Sequence, residues 1–477
     1  MEYINIAIHI ILIMSLGWYL ITNFQWYNYK LERVIFKHHK WQWHITYFLS
    51  PIILFYLIPE IYFPIYFIVY FISFILWNKK LTNTLILTAR VKRFLAILLI
   101  LTFIIIALCL SYEDCVDKII FIPLVLTYII STILEKIFFI SFKNRAKQRH
   151  KSIAGLRIVA ITASYGKTSI KNFLYHVLKS RFKVYKTPRS VNTIAGIVLD
   201  VNRDLPLDTQ IYIAEAGARV KGDIEDISLF LEPQICVIGS VGEQHIEYFK
   251  TLNNIIHTKM EILKSPRMEM GFVHESVPIN SYPKITKFPN NLRILRSDLN
   301  GISFEVEVGG RIEEFQAPIL GSFNAINLTA VILVAYNLGM SILEIKAALT
   351  TIPQVEHRLQ KIEQNGKIIL DDSFNGNLEG VLEAINISST HDGRKVIITP
   401  GLVEASDTAN IMLAKSINDN FNLVIVTGSL NTHIFVSNID KNKLIILKDK
   451  SKMQTILASN TRVGDLILFA NDAPNFI

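Results

Sequence analysis

Apolar runs in the first 142 residues constrain the fold of this 477-residue chain more than any other feature of its sequence. A helix that crosses the hydrocarbon core of a bilayer needs roughly 20 predominantly apolar residues. Residues 1–142 are therefore predicted to form a multi-span α-helical membrane segment of about five helices. The five runs are residues 4–21, 43–58, 61–77, 94–110 and 119–140. Only Pro59 and Glu60 separate the second run from the third, so two spans and one re-entrant hairpin are both open.

The distribution of charge agrees with this topology. The formal net charge is +9, and basic residues cluster between the apolar runs, around residues 30–40, 79–93 and 143–157. With five spans, these clusters fall on one side of the membrane and the acidic loop 113–117 falls on the other. Basic loops mark the cytoplasmic side of membrane proteins. The charge therefore predicts a multi-pass protein that contacts the lipid bilayer and keeps its remaining residues in the cytoplasm, and it does not favour nucleic-acid binding.

A strand, a short loop and a helix follow one another at the start of the remaining sequence. β-Branched residues predict a strand over residues 157–162, and helical periodicity follows over residues 169–178. In such a setting, backbone N–H groups hold phosphate oxygens, the Lys167 ammonium reaches the β and γ phosphates, and the Thr168 hydroxyl ligates Mg²⁺. The candidate nucleotide-binding residues are Ser164, Tyr165, Gly166, Lys167, Thr168 and Ser169. Ile161 replaces the first glycine of the common pattern G-x-x-x-x-G-K-[ST], so the spacing does not favour the ordinary phosphate-loop ATPases.

Short segments from residue 162 to residue 404 carry a resemblance to one family. Residues 162–168 read T-A-S-Y-G-K-T, which resembles the loop T-G-S-x-G-K-T of the Mur ligases of bacterial cell-wall synthesis. Residues 371–377, D-D-S-F-N-G-N, resemble the D-D-S-Y-N-A-N of the branch that adds D-alanyl-D-alanine to UDP-MurNAc-tripeptide. Further matching segments lie in the family's order at residues 186–196, 211–218, 237–247, 257–261, 320–327 and 357–359.

The same comparison shows departures. Ala163 and Phe323 replace a usual glycine and a usual histidine, and residues 399–404 differ from the family's segment. The branch named above usually begins with a small domain that holds the UDP part of the substrate. In this sequence the apolar segment stands in that place.

The resemblance implies both a fold and a reaction. Residues 143–355 are expected to form the central ATP-binding domain, with a mostly parallel sheet, and residues 356–477 a C-terminal Rossmann-like α/β domain. The implied enzyme is an ADP-forming ligase of the bacterial inner membrane. ATP phosphorylates a carboxylate of the UDP-linked peptide, and the amine of the small-molecule substrate then attacks the acyl phosphate.

The resemblance also implies roles for particular residues. Lys167, His245 and Lys259 are expected to be catalytic, and Lys259 is a candidate for carbamylation. The expected Mg²⁺ site comprises Thr168, Glu215, His245 and Lys259. Beyond the loop, the expected ATP contacts are Asn324, Asn327, Arg358 and Asp372. The expected substrate contacts are Asn192, Thr193, Asn375 and Asn377.

Each of these residues also has a structural interpretation. Glu215 could cap the turn that follows it, His245 could be a core histidine, Asn324 could be a helix N-cap, and Arg358 could pair with Glu356. Two other functions also stay open. One is a membrane-bound ligase for another acceptor, such as poly-γ-glutamate, and the other is a nucleotide-binding membrane scaffold with a degenerate site.

Overall fold

The computed structural model describes residues 2–36, 38, 40–59, 61–81, 84–109, 121–242, 249–279, 284–374, 378–403 and 405–471. The chain separates into two compact units, Met1–Ser141 and Phe142–Ile477. The acidic loop 113–117 and the predicted site residues His245, Asn375 and Asn377 lie outside the described residues.

The first unit consists of helices in its described part. They are α1 Glu2–Trp26, α2 Leu31–Phe36, α3 Gln42–His44, α4 Ser50–Leu57, α5 Phe63–Lys79, α6 Ala89–Cys109 and the beginning of α7 Ile122–Ser152. Among the described helices, three are long and apolar enough to cross a membrane by length and composition, namely Ile4–Trp26 of α1, α6 and α7. The number of spans therefore stays a prediction.

The predicted runs 43–58 and 61–77 form shorter helices. A π-helical stretch, Ile45–Leu49, joins α3 to α4, and α5 has 17 residues. Pro51 lies in the first turn of α4 and has no N–H to donate to the preceding turn, which explains the wider helical turn before it.

Helix α1 lies at the centre of the packing within this unit. Leu12, Leu16 and Tyr19 are fully buried in a cluster that includes Phe67 of α5. A Cβ atom at Gly17 would collide with the Leu98 side chain of α6. Glycine therefore lets α1 and α6 approach closely, as small residues do between membrane helices.

A six-stranded parallel sheet forms the first part of the second unit. Its strands are β1 Arg157–Thr162, β2 Val184–Lys186, β3 Ile211–Glu215, β4 Ile235–Ile238, β5 Met270–His274 and β6 Ile285–Phe288, in the order β2-β3-β1-β4-β5-β6. Helices α8 Lys167–Leu178, α9 Ile194–Arg203, α10 Asp223–Leu231 and α11 Leu252–Met260 accompany it, and a 3₁₀ turn, Glu261–Lys264, follows α11.

Side chains of β1 alternate between two cores because successive residues of a strand point to opposite faces. Val159 and Ile161 pack in the cluster that contains Phe173 of α8. Ile158 and Ala160 belong to the other cluster. With both faces covered, the open region is the carboxyl edge of the sheet, where α/β proteins bind their ligands.

A three-stranded antiparallel sheet follows. It contains β7 Arg293–Asp298, β8 Gly301–Val308 and β9 Arg311–Ala317, and helices α12 Phe323–Asn337 and α13 Ile342–Thr350 come after it. The sequence predicts a hairpin at Gly309-Gly310, and the structure confirms it, since Val308 pairs with Arg311. Both glycines have positive φ, as a tight hairpin turn requires.

A second six-stranded sheet completes the chain. Its strands are β10 Gln360–Gln364, β11 Lys367–Asp372, β12 Lys395–Thr399, β13 Leu423–Thr427, β14 Leu444–Leu447 and β15 Leu466–Ala470, in the order β10-β11-β15-β12-β13-β14. Only the β10–β11 pairing is antiparallel. The helices are α14 Leu378–Ser389, α15 Asp407–Asn420, α16 Thr432–Asn438 and α17 Met453–Asn460, with 3₁₀ turns at Lys441–Lys443 and Lys450–Lys452. The sequence predicts strands at residues 368–370, 396–399, 423–426 and 466–469, and they are confirmed as β11, β12, β13 and β15.

Candidate nucleotide and metal site

The loop from β1 to α8 is anchored to the end of the neighbouring strand β4. The backbone N–H groups of Ser164 and Tyr165 both donate to Ser240 O, at 2.8 and 3.3 Å. The Ser164 hydroxyl donates to Gly242 O at 3.0 Å. Ala163, which replaces the family's glycine, is buried and does not have a positive φ, so its methyl group introduces no backbone strain.

Gly166 is the residue of this loop whose backbone requires glycine. Its φ is 81°, in the left-handed region that other L residues rarely adopt, and it immediately precedes α8. A Cβ atom there would collide with the amide group of Asn327. The loop can therefore approach α12 closely, which brings two sequence-distant segments to the start of α8.

The Lys167 side chain folds back over its own loop. Its Nζ donates to Ala163 O at 2.7 Å and to Ser164 O at 3.0 Å. The Lys167 pKa is lowered to about 8, chiefly by burial and to a smaller extent by the nearby Arg358, while Glu215 acts in the opposite direction. An ammonium held only by carbonyl oxygens is available to a stronger acceptor, such as a phosphate oxygen.

Glu215, the last residue of β3, lies at the centre of the site. Its Oε2 accepts a hydrogen bond from the Thr168 hydroxyl at 3.2 Å and lies 3.0 Å from Lys171 Nζ. Its Oε1 accepts from Asn192 Nδ2 at 3.4 Å. All three partners come from segments other than the turn that follows β3, so these bonds do not support the turn-cap interpretation.

The donor atoms of the site suit a Mg²⁺ ion. Thr168 and Glu215 supply hydroxyl and carboxylate oxygens, the hard ligands that Mg²⁺ prefers. Among the described residues, no three His, Cys, Asp or Glu side chains cluster closely enough to hold a metal ion by themselves. These two residues therefore fit a Mg²⁺ ion that takes its remaining ligands from water and phosphate, and His245 stays a predicted ligand.

Lys259 is buried near the same carboxylate. It lies in the last turn of α11, and 4% of its surface is exposed. Burial and then the charge of Lys167 lower its pKa to about 7, against the opposing effect of Glu215 and Glu261. Glu261 accepts hydrogen bonds from the N–H groups of Gly222, at 2.8 and 3.0 Å, and Glu225, at 3.2 Å. Glu261, which follows Lys259 by two residues, therefore fixes the start of α10 next to the buried Lys259 side chain.

Asn324 and Asn327 lie together in the first turns of α12. Asn324 Nδ2 donates to Leu320 O at 2.7 Å, and its Oδ1 accepts from Asn327 Nδ2 at 3.0 Å. The N-cap position belongs to Ser322, so the interpretation of Asn324 as the helix cap is wrong. The pair instead forms a buried polar surface against Gly166.

Asp372 is the last residue of β11 in the second six-stranded sheet, and Arg358 lies just before β10 of the same sheet. Arg358 donates to Phe374 O, and Asp372 Oδ1 accepts from Leu359 N at 3.0 Å. Burial lowers the Arg358 pKa, while Asp372 and Glu215 oppose that shift. These interactions place Arg358 near Lys167 and Glu215, and Arg358 donates to Phe374 rather than forming the pair with Glu356.

Asn192 and Thr193, the two described residues that are predicted to contact the substrate, also make hydrogen bonds within the protein. Asn192 O accepts from Gly217 N at 2.8 Å, and the Asn192 side chain packs over that glycine. Thr193 caps α9, accepting from Gly196 N at 3.3 Å. Asn192 is therefore held in the site by its hydrogen bond to Glu215. The described hydrogen bond of Thr193, in contrast, lies within its own helix, α9.

The sequence prediction missed Lys171, the fully buried partner of Glu215. A signal was present, because Lys171 lies four residues after Lys167 and such residues share one face of a helix.

Comparison with known proteins identifies the fold of this site. Residues 161–335 match the family model of the Mur ligase middle domain. The UDP-N-acetylmuramoyl-tripeptide–D-alanyl-D-alanine ligase of Bacillus subtilis is 25% identical over 335 residues, which cover 66% of this chain and 73% of that protein. The ligase of the same name from Borreliella burgdorferi is 28% identical over 291 residues, which cover 57% of this chain and 62% of that protein.

The structural comparison agrees. The crystal structure of MurF ligase from Thermotoga maritima in complex with ADP superposes with a TM-score of 0.59 at 24% identity, over 70% of this chain and 80% of that chain. The second unit therefore has the Mur-ligase α/β fold with a parallel sheet.

Proposed function

We propose that this chain, whose residues 161–335 are a Mur ligase middle domain, is an ATP-dependent, ADP-forming ligase. Its proposed reaction joins D-alanyl-D-alanine to UDP-MurNAc-tripeptide in the synthesis of peptidoglycan precursors, as the names of its relatives state for them. The observation that carries the proposal is the meeting of Lys167, Thr168, Glu215 and Lys259 at the carboxyl edge of the parallel sheet.

The reaction balances in two steps. A carboxylate oxygen of the tripeptide attacks the γ-phosphorus of ATP, which gives an acyl phosphate and ADP. The amine of D-alanyl-D-alanine then attacks the acyl carbon, inorganic phosphate leaves, and the amine releases a proton. Neither step needs a covalent bond to the protein, so the protein acts by positioning and by neutralising charge.

Each residue of the site has a matching task. Lys167 exchanges its carbonyl partners for γ-phosphate oxygens, and the loop N–H groups with the start of α8 hold the phosphates. Thr168 and Glu215 hold Mg²⁺, which supplies neutralisation of the phosphate charge when bound. Arg358 approaches from the second sheet, where it stabilises the transferring phosphoryl group.

Lysine carbamylation is the finer part of this proposal. A pKa of about 7 leaves much of Lys259 as the neutral amine at physiological pH, and the neutral amine is the form that attacks CO₂. A carbamate at this position turns the Lys259 amine into an anion beside Lys167. Lys259→Ala is expected to lose activity, and wild-type activity is expected to fall in CO₂-free buffer. Full wild-type activity without CO₂ contradicts carbamylation but leaves the ligase proposal intact.

Location in the bacterial inner membrane is also part of the proposal. It is supported by the three helices that are long and apolar enough to span a bilayer and by the basic clusters between the apolar runs. On this proposal, the second unit lies in the cytoplasm, where ATP and UDP-linked precursors are found.

The decisive test is phosphate release by the detergent-purified full chain with Mg-ATP, UDP-MurNAc-tripeptide and D-alanyl-D-alanine, each omitted in turn. We expect release to require all three and the joined pentapeptide to appear in the mass spectrum. Lys167→Ala is expected to abolish release, whereas Lys179→Ala, a change at an exposed lysine that directly follows α8, is expected to retain it. If Lys167→Ala matches wild type and no acceptor supports turnover, the scaffold interpretation replaces the ligase.

A second candidate acceptor follows from the apolar first 142 residues, which stand where the relatives' branch usually has its UDP-holding domain. Turnover with a γ-linked polyglutamate chain, and none with the UDP-linked tripeptide, would select a membrane ligase for that other acceptor.

A further inference from the structure

Lys171 forms a buried ion pair at the centre of the site. Its side chain is 1% exposed and that of Glu215 is 2% exposed, and the Nζ–Oε2 distance is 3.0 Å. A charge pair removed from water in this way must compensate for the loss of hydration of both groups. Lys171 does so with a second acceptor, the backbone oxygen of Arg189.

Lys171 occupies the same carboxylate oxygen as the proposed metal site. Glu215 Oε2 accepts from the Thr168 hydroxyl at 3.2 Å while it contacts the Lys171 ammonium. The Thr168 hydroxyl oxygen and Glu215 Oε2 are the described protein atoms that fit Mg²⁺. A cation already lies on the oxygen that the metal ion would approach, and two cations next to one carboxylate repel each other.

The second contact of Lys171 holds the turn that surrounds Glu215. Arg189 has a φ of 46°, unusual for a residue other than glycine, and its carbonyl oxygen receives the Lys171 ammonium. On the same turn, Thr187 Oγ1 accepts from Glu215 N at 3.2 Å, and Asn192 contacts the Glu215 carboxylate. Lys171 therefore connects the metal-binding carboxylate to the segment that contains the proposed substrate contact.

We infer that Lys171 is a positioning residue that holds Glu215 in the ligand orientation and competes with Mg²⁺ for its carboxylate oxygen. The inference rests on the proposed function, because it takes Glu215 as a ligand of Mg²⁺. On this account the Lys171 ammonium neutralises the Glu215 carboxylate in the metal-free protein, and it would oppose the binding of Mg²⁺ at that carboxylate. Removal of the ammonium lowers the stability of the metal-free protein and strengthens its binding of Mg²⁺.

The test is a MgCl₂ titration of the thermal unfolding of the full chain in detergent, without nucleotide. The variants are Lys171→Met, Lys171→Gln, which keeps a donor for Arg189 O, and the exposed control Lys179→Met. Relative to wild type, we expect both Lys171 variants to unfold at a lower Tm without metal. We also expect the Mg²⁺ concentration at half-maximal Tm shift to fall at least about fivefold, the lower end of typical coupling between sites. Lys179→Met is expected to match wild type in both measurements.

Glu215→Gln separates failure of this inference from failure of the proposed function. If Glu215→Gln abolishes the Mg²⁺-dependent shift while the Lys171 variants keep the wild-type midpoint, Lys171 is only structural and the inference is wrong. If Glu215→Gln leaves the shift unchanged, the metal assignment in the proposed function is wrong, and the inference fails with it. Should Lys171→Met not fold, Lys171→Gln decides between these outcomes, and Lys171→Met/Glu215→Gln, which removes both charges, is expected to recover the metal-free Tm.

Discussion

Replacement of Gly166 by alanine tests the geometry of the phosphate loop directly. The φ of 81° places an L side chain in the left-handed region, which costs roughly 1–2 kcal/mol. The new Cβ atom would also occupy the position of the Asn327 amide group. If Asn327 moves, its 3.0 Å hydrogen bond to Asn324 is lost, which costs about 1 kcal/mol more.

These terms add to about 2–3 kcal/mol for the conformation seen here. The alanine variant can avoid that cost by relaxing its loop when no ligand is bound, but it must restore the loop to bind phosphates. Since 1.4 kcal/mol corresponds to a factor of ten, the Kd for ATP is expected to rise roughly 30- to 150-fold. Equilibrium binding of a fluorescent ATP analogue to the full chain in detergent measures this change.

Gly155 supplies the matched control. Its φ is 70°, also left-handed, but no heavy atom lies within 4 Å of a Cβ placed there. Gly155→Ala therefore carries the backbone cost without the collision, and it lies in the connection from α7 to β1 rather than in the loop. Its ATP affinity is expected to match wild type. ATP binding by Gly166→Ala within threefold of wild type, or an equal loss of affinity in Gly155→Ala, would refute this explanation of the loop.

Two further predictions concern pH and the second six-stranded sheet. Folding moves the Lys259 pKa from 10.5 to about 7, so between these values the folded state binds fewer protons than the unfolded state and stability rises with pH. In urea unfolding in CO₂-free buffer, Lys259→Met should reduce the slope of the unfolding free energy against pH by up to ~1.4 kcal/mol per pH unit. An unchanged slope would contradict the assignment of Lys259 as a buried neutral amine. Asn410 is fully buried and bonds Leu402 N and O at 2.8 and 3.1 Å, so Asn410→Ala should lower the free energy of unfolding by about 2–3 kcal/mol. Asn438→Ala, which removes one bond within its own helix, should lower it by less than ~1 kcal/mol, and equal losses would show that the Asn410 bonds add nothing.

Local sequence signals were sufficient for the loop and its flanking elements. The β-branched run ending at Thr162 and the helical period after Thr168 each lie within a few residues of Lys167, so their pattern survives in the sequence. The turn at Gly309 and Gly310 was predictable for the same reason. The strands β10 and β14 were not, because they lie at the edges of their sheet and their short runs include charged or exposed positions.

Contacts between residues that are far apart in the sequence could not be predicted from local sequence patterns. The partner of Lys171 lies at Glu215, on a neighbouring strand of the sheet, and only the strand order β3-β1 brings the two together. The role of Glu261 as an anchor for the start of α10 depends on the turn after α11. The family resemblance identified residues at the site but supplied no partner for either of them.

The basic groups around Glu215 give a physical argument for a nucleotide ligand that does not depend on the family resemblance. Lys167, Lys259 and Arg358 all have pKa values lowered by burial, and each is affected by the same carboxylate, Glu215. Lys171 adds a further basic group at that carboxylate. Buried cations close to one another are a poor arrangement for stability alone, because buried like charges repel each other. A ligand with several negative charges relieves that repulsion, and a triphosphate brings them to the end of a helix whose dipole favours them. The repulsion among these buried basic groups is therefore a physical reason to expect a polyanionic ligand at this edge of the sheet, independent of any sequence motif.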